Sequence, residues 1–260
     1  MGEIFSNWWL QVLSTVVCFY VFGLIVGALC RIFYSGAGRA GHGVCVATGL
    51  IGTPIHELGH AFFCVVFRHK IVEMSLFQPN DEDGVLGYVN HAYNPKNIYH
   101  QVGNFFIGIG PILFGSAALL ALMYALIPEV FASVTGDLFA WQTSFDSVKE
   151  AFLGSFDAIF AKENFSSGKF WLFLVLACLI TLHMTLSPAD VKGSVVGTVY
   201  ILVLLFVMNF ALYYLAYDIM LMVTEAIVGF GVTVACFLSI AVVFAAIMAG
   251  VGVILKMLIK

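Results

Sequence analysis

Long runs without a charged residue constrain this chain more than any other feature of its sequence. Each run is at least as long as the ~20 residues that cross a bilayer as a helix. Only 10% of the 260 residues are charged and 62% are hydrophobic, which leaves too little polar surface to coat a soluble globule. The sequence therefore predicts a membrane protein that crosses the bilayer several times. The uncharged runs cover residues 4–30, 97–128, 170–189, 194–217 and 226–255.

The predicted fold class is all-α, with six transmembrane helices in a single integral membrane domain that covers residues 1–260. The second predicted helix lies outside the uncharged runs, because it contains Glu57. The small net charge of −4 and the absence of a Lys/Arg-rich run argue against a nucleic-acid partner, so lipid is the expected surrounding. The helices are predicted at 8–32, 42–67, 103–127, 170–187, 194–217 and 226–256.

Two connections between these helices are long enough to form structure of their own. In residues 68–102, apolar β-rich runs at 71–77 and 85–89 flank Asp83-Gly84, which predicts a small β-hairpin after the second helix. In residues 128–169, Ser147 and Glu150 have the spacing of a capping box, and apolar residues follow at helical spacing. We expect there either an amphipathic helix that lies on the membrane or caps the bundle, or a linker helix without chemistry.

The motif with chemical meaning is His56-Glu57-Leu58-Gly59-His60, inside the second predicted helix. Positions i and i+4 share one face of an α-helix, so both imidazoles can bind one zinc ion while Glu57 reaches a metal-bound water. An ionisable group inside a transmembrane helix costs about 2.5–3.5 kcal/mol on insertion scales, and metal ligation would compensate this cost. The spacing predicts a zinc site with Glu57 as the catalytic base. The alternative is a buried cluster of Glu57 and histidines that neighbouring helices satisfy.

A catalytic zinc site also needs a third protein ligand. Asp190 is the first choice, because Pro188 and Gly193 predict a broken or unwound helix that would aim its carboxylate into a protein-lined cavity. The alternative for Asp190 is a solvated loop acid beside Lys192. His183 could replace it as a ligand, or orient a ligand or substrate, since it lies about two helical turns earlier and on nearly the same face of a continuous helix. The other histidines that stay open as ligands are His42, His69, His91 and His100.

The order of these elements resembles that of the site-2 proteases, a family of intramembrane zinc metalloproteases. After the H-E-x-x-H helix come the hairpin segment with Gly87-Tyr88-Val89, the sequence Ile107-Gly108-Ile109-Gly110-Pro111, and Pro188-Ala189-Asp190. The resemblance covers about residues 42–200, followed by a C-terminal helix pair at 194–260. It implies one zinc ion per chain, with Pro188-Ala189-Asp190 as the segment that brings the third ligand. It also implies transmembrane proteins or peptides as substrates, and an active site on the cytoplasmic side of a bacterial plasma membrane.

On this interpretation the chain hydrolyses peptide bonds of membrane-embedded substrates, with zinc-activated water and Glu57 as general base. The hairpin offers a strand edge that an unwound substrate segment could join by β-augmentation. The candidate substrate-binding residues are therefore Val85, Leu86, Gly87 and Tyr88. The alternative is a hairpin that only covers the mouth of the site.

The basic residues around the second helix give opposing signals for its orientation. Arg68 and Lys70 favour a cytoplasmic hairpin by the positive-inside rule, whereas Arg31 and Arg39 favour the opposite arrangement. With six spans and a cytoplasmic site, both chain termini would be cytoplasmic.

Two functions from other classes stay open. The first is a non-catalytic protein of the same ancestry that binds helices as a chaperone or as a subunit of a membrane complex. It is favoured by the absence of the Asn, one Pro and the adjacent Gly of the family's N-x-x-P-x-P-x-x-D-G segment. The second is an ion or metal carrier, because buried His, Glu and Asp also mark cation pathways.

Overall fold

A computed structural model describes residues 1–79, 84–138 and 145–258 of the chain. Within these ranges, apolar sequence of low proline content folds into eight α-helical elements and a two-stranded sheet. The helices are α1 (Gly2–Gly36, with a π-helical segment at Leu13–Val17), α2 (Gly41–Val66), α3 (Ile98–Leu126), α4 (Pro128–Leu138), α5 (Phe145–Ile159), α6 (Gly168–Thr181), α7 (Pro188–Leu215) and α8 (Tyr217–Leu258). The strands are β1 (Lys70–Ser75) and β2 (Tyr88–Ala92).

Four helices are long and apolar enough to cross a membrane, namely α1, α3, α7 and α8. This confirms the prediction of a helical chain with several candidate membrane spans. Two of the six predicted spans, α2 and α6, are not among these four helices. α2 is long, but Thr48, Thr53 and the H-E-x-x-H residues interrupt its apolar sequence, and α6 has only 14 residues. A helix of 14 residues is about 21 Å long, short of a ~30 Å hydrocarbon layer. Six spans therefore remains a prediction.

The connection after α2 contains the predicted hairpin. β1 and β2 pair antiparallel, with Met74 opposite Val89, and the register shifts between Ile71 and Glu73. The bulge at this shift increases the local twist of a short ribbon. The predicted turn residues Asp81, Glu82 and Asp83 lie outside the described ranges.

The second strand of the hairpin begins later than the sequence predicts. The prediction of strand at 85–89 is wrong for residues 85–87, which have no strand geometry. The backbone N–H of Gln78 donates to the carbonyl oxygen of Leu86 at 2.7 Å, and its side-chain amide donates to that of Val85 at 3.1 Å. These bonds use the carbonyl groups locally, so regular pairing with β1 starts only at Tyr88.

The described part of the long connection before α6 contains the helices α4 and α5, and the amphipathic pattern predicts a helix in the region of α5. Side chains of α5, Phe156 and Ile159 among them, face Ile240 and Phe244 of α8 across a small apolar gap. α5 therefore covers one side of the bundle. The predicted capping box is wrong in position, because α5 begins at Phe145 and Ser147 lies inside the helix.

Close helix contacts bring α2, α3 and α7 together around the H-E-x-x-H motif. A Cβ atom at Gly59 would lie only 2.7 Å from the carbonyl oxygen of Gly110, so glycine at this position lets α2 approach the backbone of α3. Gly108 likewise lets α3 approach the backbone of α7, because a Cβ atom there would lie 2.8 Å from the carbonyl oxygen of Asp190. The three helices therefore meet at the turn that carries the two motif histidines.

Candidate metal centre

His56 and His60 present their Nε2 atoms to each other on one face of α2. The two atoms are 3.2 Å apart, as expected for residues one helical turn apart that bind a common ion. The H-E-x-x-H spacing therefore produces the arrangement that it predicts.

Asp190 completes a group of three ligand atoms from a distant part of the chain. Its Oδ1 atom lies 3.2 Å from His60 Nε2, and its Oδ2 atom lies 3.9 Å from His56 Nε2. The donor atoms of His56, His60 and Asp190 all lie within 4.8 Å of one another, so the group could hold a metal ion. Two imidazole nitrogens and one carboxylate form a donor set that zinc accepts.

Backbone carbonyl groups fix the orientation of both imidazoles. His56 Nδ1 donates to the carbonyl oxygen of His183 at 2.7 Å, and His60 Nδ1 donates to that of Ile107 at the same distance. Because a carbonyl oxygen only accepts, each Nδ1 carries a proton, and in the neutral imidazole each Nε2 then presents a lone pair. Metal-binding histidines in proteins are commonly held in this way. In the neutral rings, two Nε2 lone pairs 3.2 Å apart beside the Asp190 carboxylate form a donor group that a cation would stabilise.

The start of α7 positions Asp190. Ser187 is the N-cap residue, and it forms a capping box with Asp190, in which each backbone N–H donates to the other's side chain. Pro188 follows at the first helical position, where its missing N–H and fixed φ are tolerated. The predicted break in the helix is real but lies earlier than expected, at residues 182–187, and Gly193 is inside α7.

The ring of His183, the alternative third ligand, does not join the donor group. Its Nε2 atom lies 3.0 Å from Thr48 Oγ1 and 3.3 Å from Tyr34 OH, and its Nδ1 atom lies 3.4 Å from Thr53 Oγ1. These contacts hold the ring among α1 and α2, while the backbone carbonyl of the same residue orients His56. The structure thus brings Asp190 to the two histidines and gives His183 a supporting position.

The other histidines lie outside the donor group. His42 is exposed at the start of α2. His69, His91 and His100 meet at the base of the hairpin, where His69 Nε2 donates to the His100 carbonyl oxygen at 2.9 Å. His69 Nδ1 therefore accepts from His91 Nδ1 at 3.0 Å. Burial, followed by the nearby His69 and His60, lowers the pKa of His91 to about 4.

A cavity of about 760 Å³ lies beside the three ligand atoms. Glu57 lines it from α2 and is only 6% exposed. The hairpin contributes residues 84–91, and Gly87 packs so closely on Glu57 that a Cβ atom there would lie 2.8 Å from Glu57 Cγ. The predicted substrate-binding segment is therefore adjacent to the predicted catalytic base, although its first three residues are not a strand.

The sequence analysis missed several residues that shape this site. Ser187 could have been found, because Ser187-Pro188-Ala189-Asp190 has the spacing of a capping box. Asn104, which lines the cavity from α3, had no signal in the sequence. The backbone carbonyl of Ile107 also had none, since every residue carries such a group.

No family model, curated protein or solved structure matches the chain. What the site can do is therefore inferred from its own residues and geometry.

Proposed function

We propose that this chain is an intramembrane zinc metalloprotease that resembles the site-2 proteases. The observation that carries the proposal is the convergence of His56, His60 and Asp190 beside Glu57, in one cavity between apolar helices. This set contains the ligands and the acid–base group that zinc-dependent peptide hydrolysis needs.

Zinc is the metal that we propose for the site. His56, His60 and Asp190 would hold it, and their nitrogen and oxygen donors suit a zinc ion that keeps an open coordination position. Zinc bound in this way would supply an activated water and polarise a peptide carbonyl. The carbonyl groups of His183 and Ile107 keep both imidazoles in the tautomer that binds a metal.

Glu57 would act as the general base and then as the proton donor. It follows His56 directly, and its carboxylate lines the same cavity as the three ligands. A carboxylate in this place can take a proton from the attacking water and pass it to the leaving amine. Its small exposed fraction, 6%, limits exchange of that proton with bulk solvent.

The hairpin would bind the substrate backbone. β2 lies between β1 and the cavity, because residues 84–91 line the cavity and no residue of β1 does so among the described residues. An extended substrate segment on the cavity side of β2 would add a strand to the sheet. Such recognition relies on main-chain bonds and tolerates many apolar side chains. Val85, Leu86, Gly87 and Tyr88 would then guide the segment past Glu57.

The proposed setting is a bacterial plasma membrane, with six spans and the site toward the cytoplasm. Four helices have the length and apolarity to cross a membrane, and α2 and α6 would be the two further spans. Arg68 and Lys70 follow α2 directly and support a cytoplasmic hairpin by the positive-inside rule.

The test compares wild-type protein with Glu57→Gln and with the matched control Glu225→Gln. Glu225 is an exposed residue of α8, so its substitution makes the same chemical change outside the site. Metal content is measured on detergent-purified protein by elemental mass spectrometry. New peptide termini in membrane proteins are measured by mass spectrometry in bacterial cells that produce each variant.

We expect near-stoichiometric zinc in all three proteins, and new termini with the wild type and Glu225→Gln but not with Glu57→Gln. The same termini in full amount with Glu57→Gln would contradict the proposed mechanism. Zinc without any new termini in the wild type would favour the non-catalytic, helix-binding protein instead.

A further inference from the structure

Asn104 is a buried polar residue on the wall that α3 contributes to the metal cavity. It is 5% exposed and lines the cavity together with Ile107, which lies one helical turn later and holds His60 through its carbonyl group. Asn104 therefore lies on the face of α3 that is turned toward the donor group. Neither the metal site nor the proposed proton transfer uses it.

The hydrogen bonds around Asn104 determine which way its amide points. Gln101 Nε2 donates to the carbonyl oxygen of Pro95 at 2.6 Å, so the Oε1 atom of Gln101 is left as an acceptor. Asn104 Nδ2 donates to that Oε1 atom at 3.2 Å. The Oδ1 atom of Asn104 is thereby directed away from Gln101, and no hydrogen-bond donor meets it within the described part of the chain.

Among the described residues, Thr181 Oγ1 is the buried side-chain atom that lacks a partner, so Asn104 Oδ1 is not sealed from the cavity and a water or a bound ligand can donate to it. Here the acceptor adjoins a cavity of about 760 Å³, which is large enough to hold a peptide segment. The polar groups that a peptide backbone offers to an acceptor are its N–H groups. A fixed amide oxygen in this place therefore matches an N–H group of a bound peptide.

We propose that Asn104 Oδ1 accepts a hydrogen bond from a backbone N–H group of the peptide that is bound in the cavity. Asn104 is thus a substrate-binding residue on the α3 wall, separate from the β2 wall. This inference rests on the proposed metalloprotease function, because it assigns the cavity to a peptide. Gln101 acts through Asn104, as the positioning residue that keeps the oxygen and not the NH₂ group toward the peptide.

The test uses two hydroxamates that bind zinc through the same group. Acetohydroxamate has no peptide backbone, whereas the hydroxamate of acetyl-Leu-Phe carries two backbone N–H groups. Analogues of the latter with a single N-methyl group at Leu or at Phe remove one N–H each. Affinities are measured by isothermal titration calorimetry on full-length, detergent-purified protein that is saturated with zinc. The variants are Asn104→Ala and the control Ser116→Ala, a buried α3 residue whose hydroxyl donates to the Ile112 carbonyl oxygen of its own helix.

We expect Asn104→Ala to lower the affinity for acetyl-Leu-Phe hydroxamate about 3- to 10-fold, which corresponds to the loss of one neutral hydrogen bond. Acetohydroxamate should bind this variant as it binds the wild type, and Ser116→Ala should change neither affinity. One of the two N-methyl analogues should bind the wild type more weakly than the parent compound does. Its affinity for Asn104→Ala should equal its affinity for the wild type, because the hydrogen bond is already absent. This coupling cannot come from a general loss of stability.

Two results would overturn the inference. If Asn104→Ala lowers the affinity for both hydroxamates equally, the residue has a structural role. If the affinity for both is unchanged, Asn104 does not bind the peptide. If neither hydroxamate binds the wild type and the protein takes up no zinc, the proposed metal site itself fails. That outcome is distinct from the first two, in which zinc and hydroxamate still bind.

Discussion

Ser187 and Asp190 hold each other through two reciprocal hydrogen bonds at the start of α7. The backbone N–H of Ser187 donates to Asp190 Oδ2 at 2.7 Å, and the backbone N–H of Asp190 donates to Ser187 Oγ at 3.1 Å. One carboxylate oxygen is thereby tied to the helix start, while Oδ1 faces His60 Nε2 at 3.2 Å. The cap of a helix thus also aims a candidate metal ligand.

Substitution of Ser187 by Ala should weaken zinc binding although Ser187 is not a ligand. The variant loses the side-chain acceptor of the cap, which is worth about 0.5–2 kcal/mol, and leaves Asp190 less constrained. Loss of a group that orients a ligand commonly reduces metal affinity about 10- to 100-fold. Competition with a zinc chelator measures the change, and Ser187→Thr is the control because threonine keeps the cap. Equal affinity in Ser187→Ala and wild type would show that the cap does not position Asp190.

Substitutions of Asp190 and His183 should separate the two candidates for the third ligand. Asp190→Ala removes the carboxylate beside His60, so we expect loss of stoichiometric zinc. His183→Gln removes the ring but keeps the backbone carbonyl that accepts from His56 Nδ1, so zinc should be retained. Elemental mass spectrometry of the purified variants gives the answer. Zinc kept by Asp190→Ala and lost by His183→Gln would reverse the assignment.

Substitution of Gly59 by Ala should force α2 and α3 apart. The new Cβ atom would lie 2.7 Å from the carbonyl oxygen of Gly110, and backbone cannot move aside as a flexible side chain can. Overpacking of this kind costs about 1–3 kcal/mol, which should lower the unfolding temperature in detergent. It should also weaken zinc binding, since it displaces the Ile107 carbonyl from His60. Gly43→Ala is the matched control on the same helix, because a Cβ atom there meets nothing within 4 Å. Equal unfolding temperatures for the two variants would argue against a tight contact.

The base of the hairpin should lose stability in acid. Burial lowers the pKa of His91 from 6.5 to about 4, so its imidazole stays neutral in the folded hairpin at pH 6, and burial also lowers the pKa of His69. Once the base opens, each imidazole regains a pKa near 6.5 and takes up a proton more readily. The open state then binds more protons, so the closed state loses stability as the pH falls from about 6.5 towards 4.

Hydrogen exchange of the β1 and β2 amides, corrected for the intrinsic pH dependence of exchange, measures this opening. We expect protection to fall between pH 7 and pH 5 in the wild type. His91→Asn removes one of the two titrating rings, so its protection should depend less on pH. An identical pH dependence in this variant would exclude His91 as a source of the effect.

Local patterns in the sequence were sufficient for most of the elements, although not for α4, and for two of the three proposed ligands. Apolar runs of membrane length predict α1, α3, α7 and α8, because a bilayer requires helices of that length and composition. His56 and His60 could be paired from their spacing, since four residues make about one turn of a helix. The hairpin followed from β-rich runs on either side of a turn. The start of the second strand at Tyr88 could not be predicted in this way, because residue propensities do not encode the hydrogen bonds from Gln78 to residues 85 and 86.

The sequence by itself determined that this chain is a helical membrane protein with an H-E-x-x-H pair on one helix face. It left the third ligand open between Asp190 and several histidines, because those residues lie far apart along the chain. Only the tertiary structure decided which of them comes near. The close approach of α2 to α3 at Gly59, and the break before α7, place the Asp190 carboxylate at His60, whereas Thr48 and Thr53 hold the ring of His183 elsewhere. Contacts between distant segments depend on how whole helices pack, and the residue spacing within a single motif does not determine that packing.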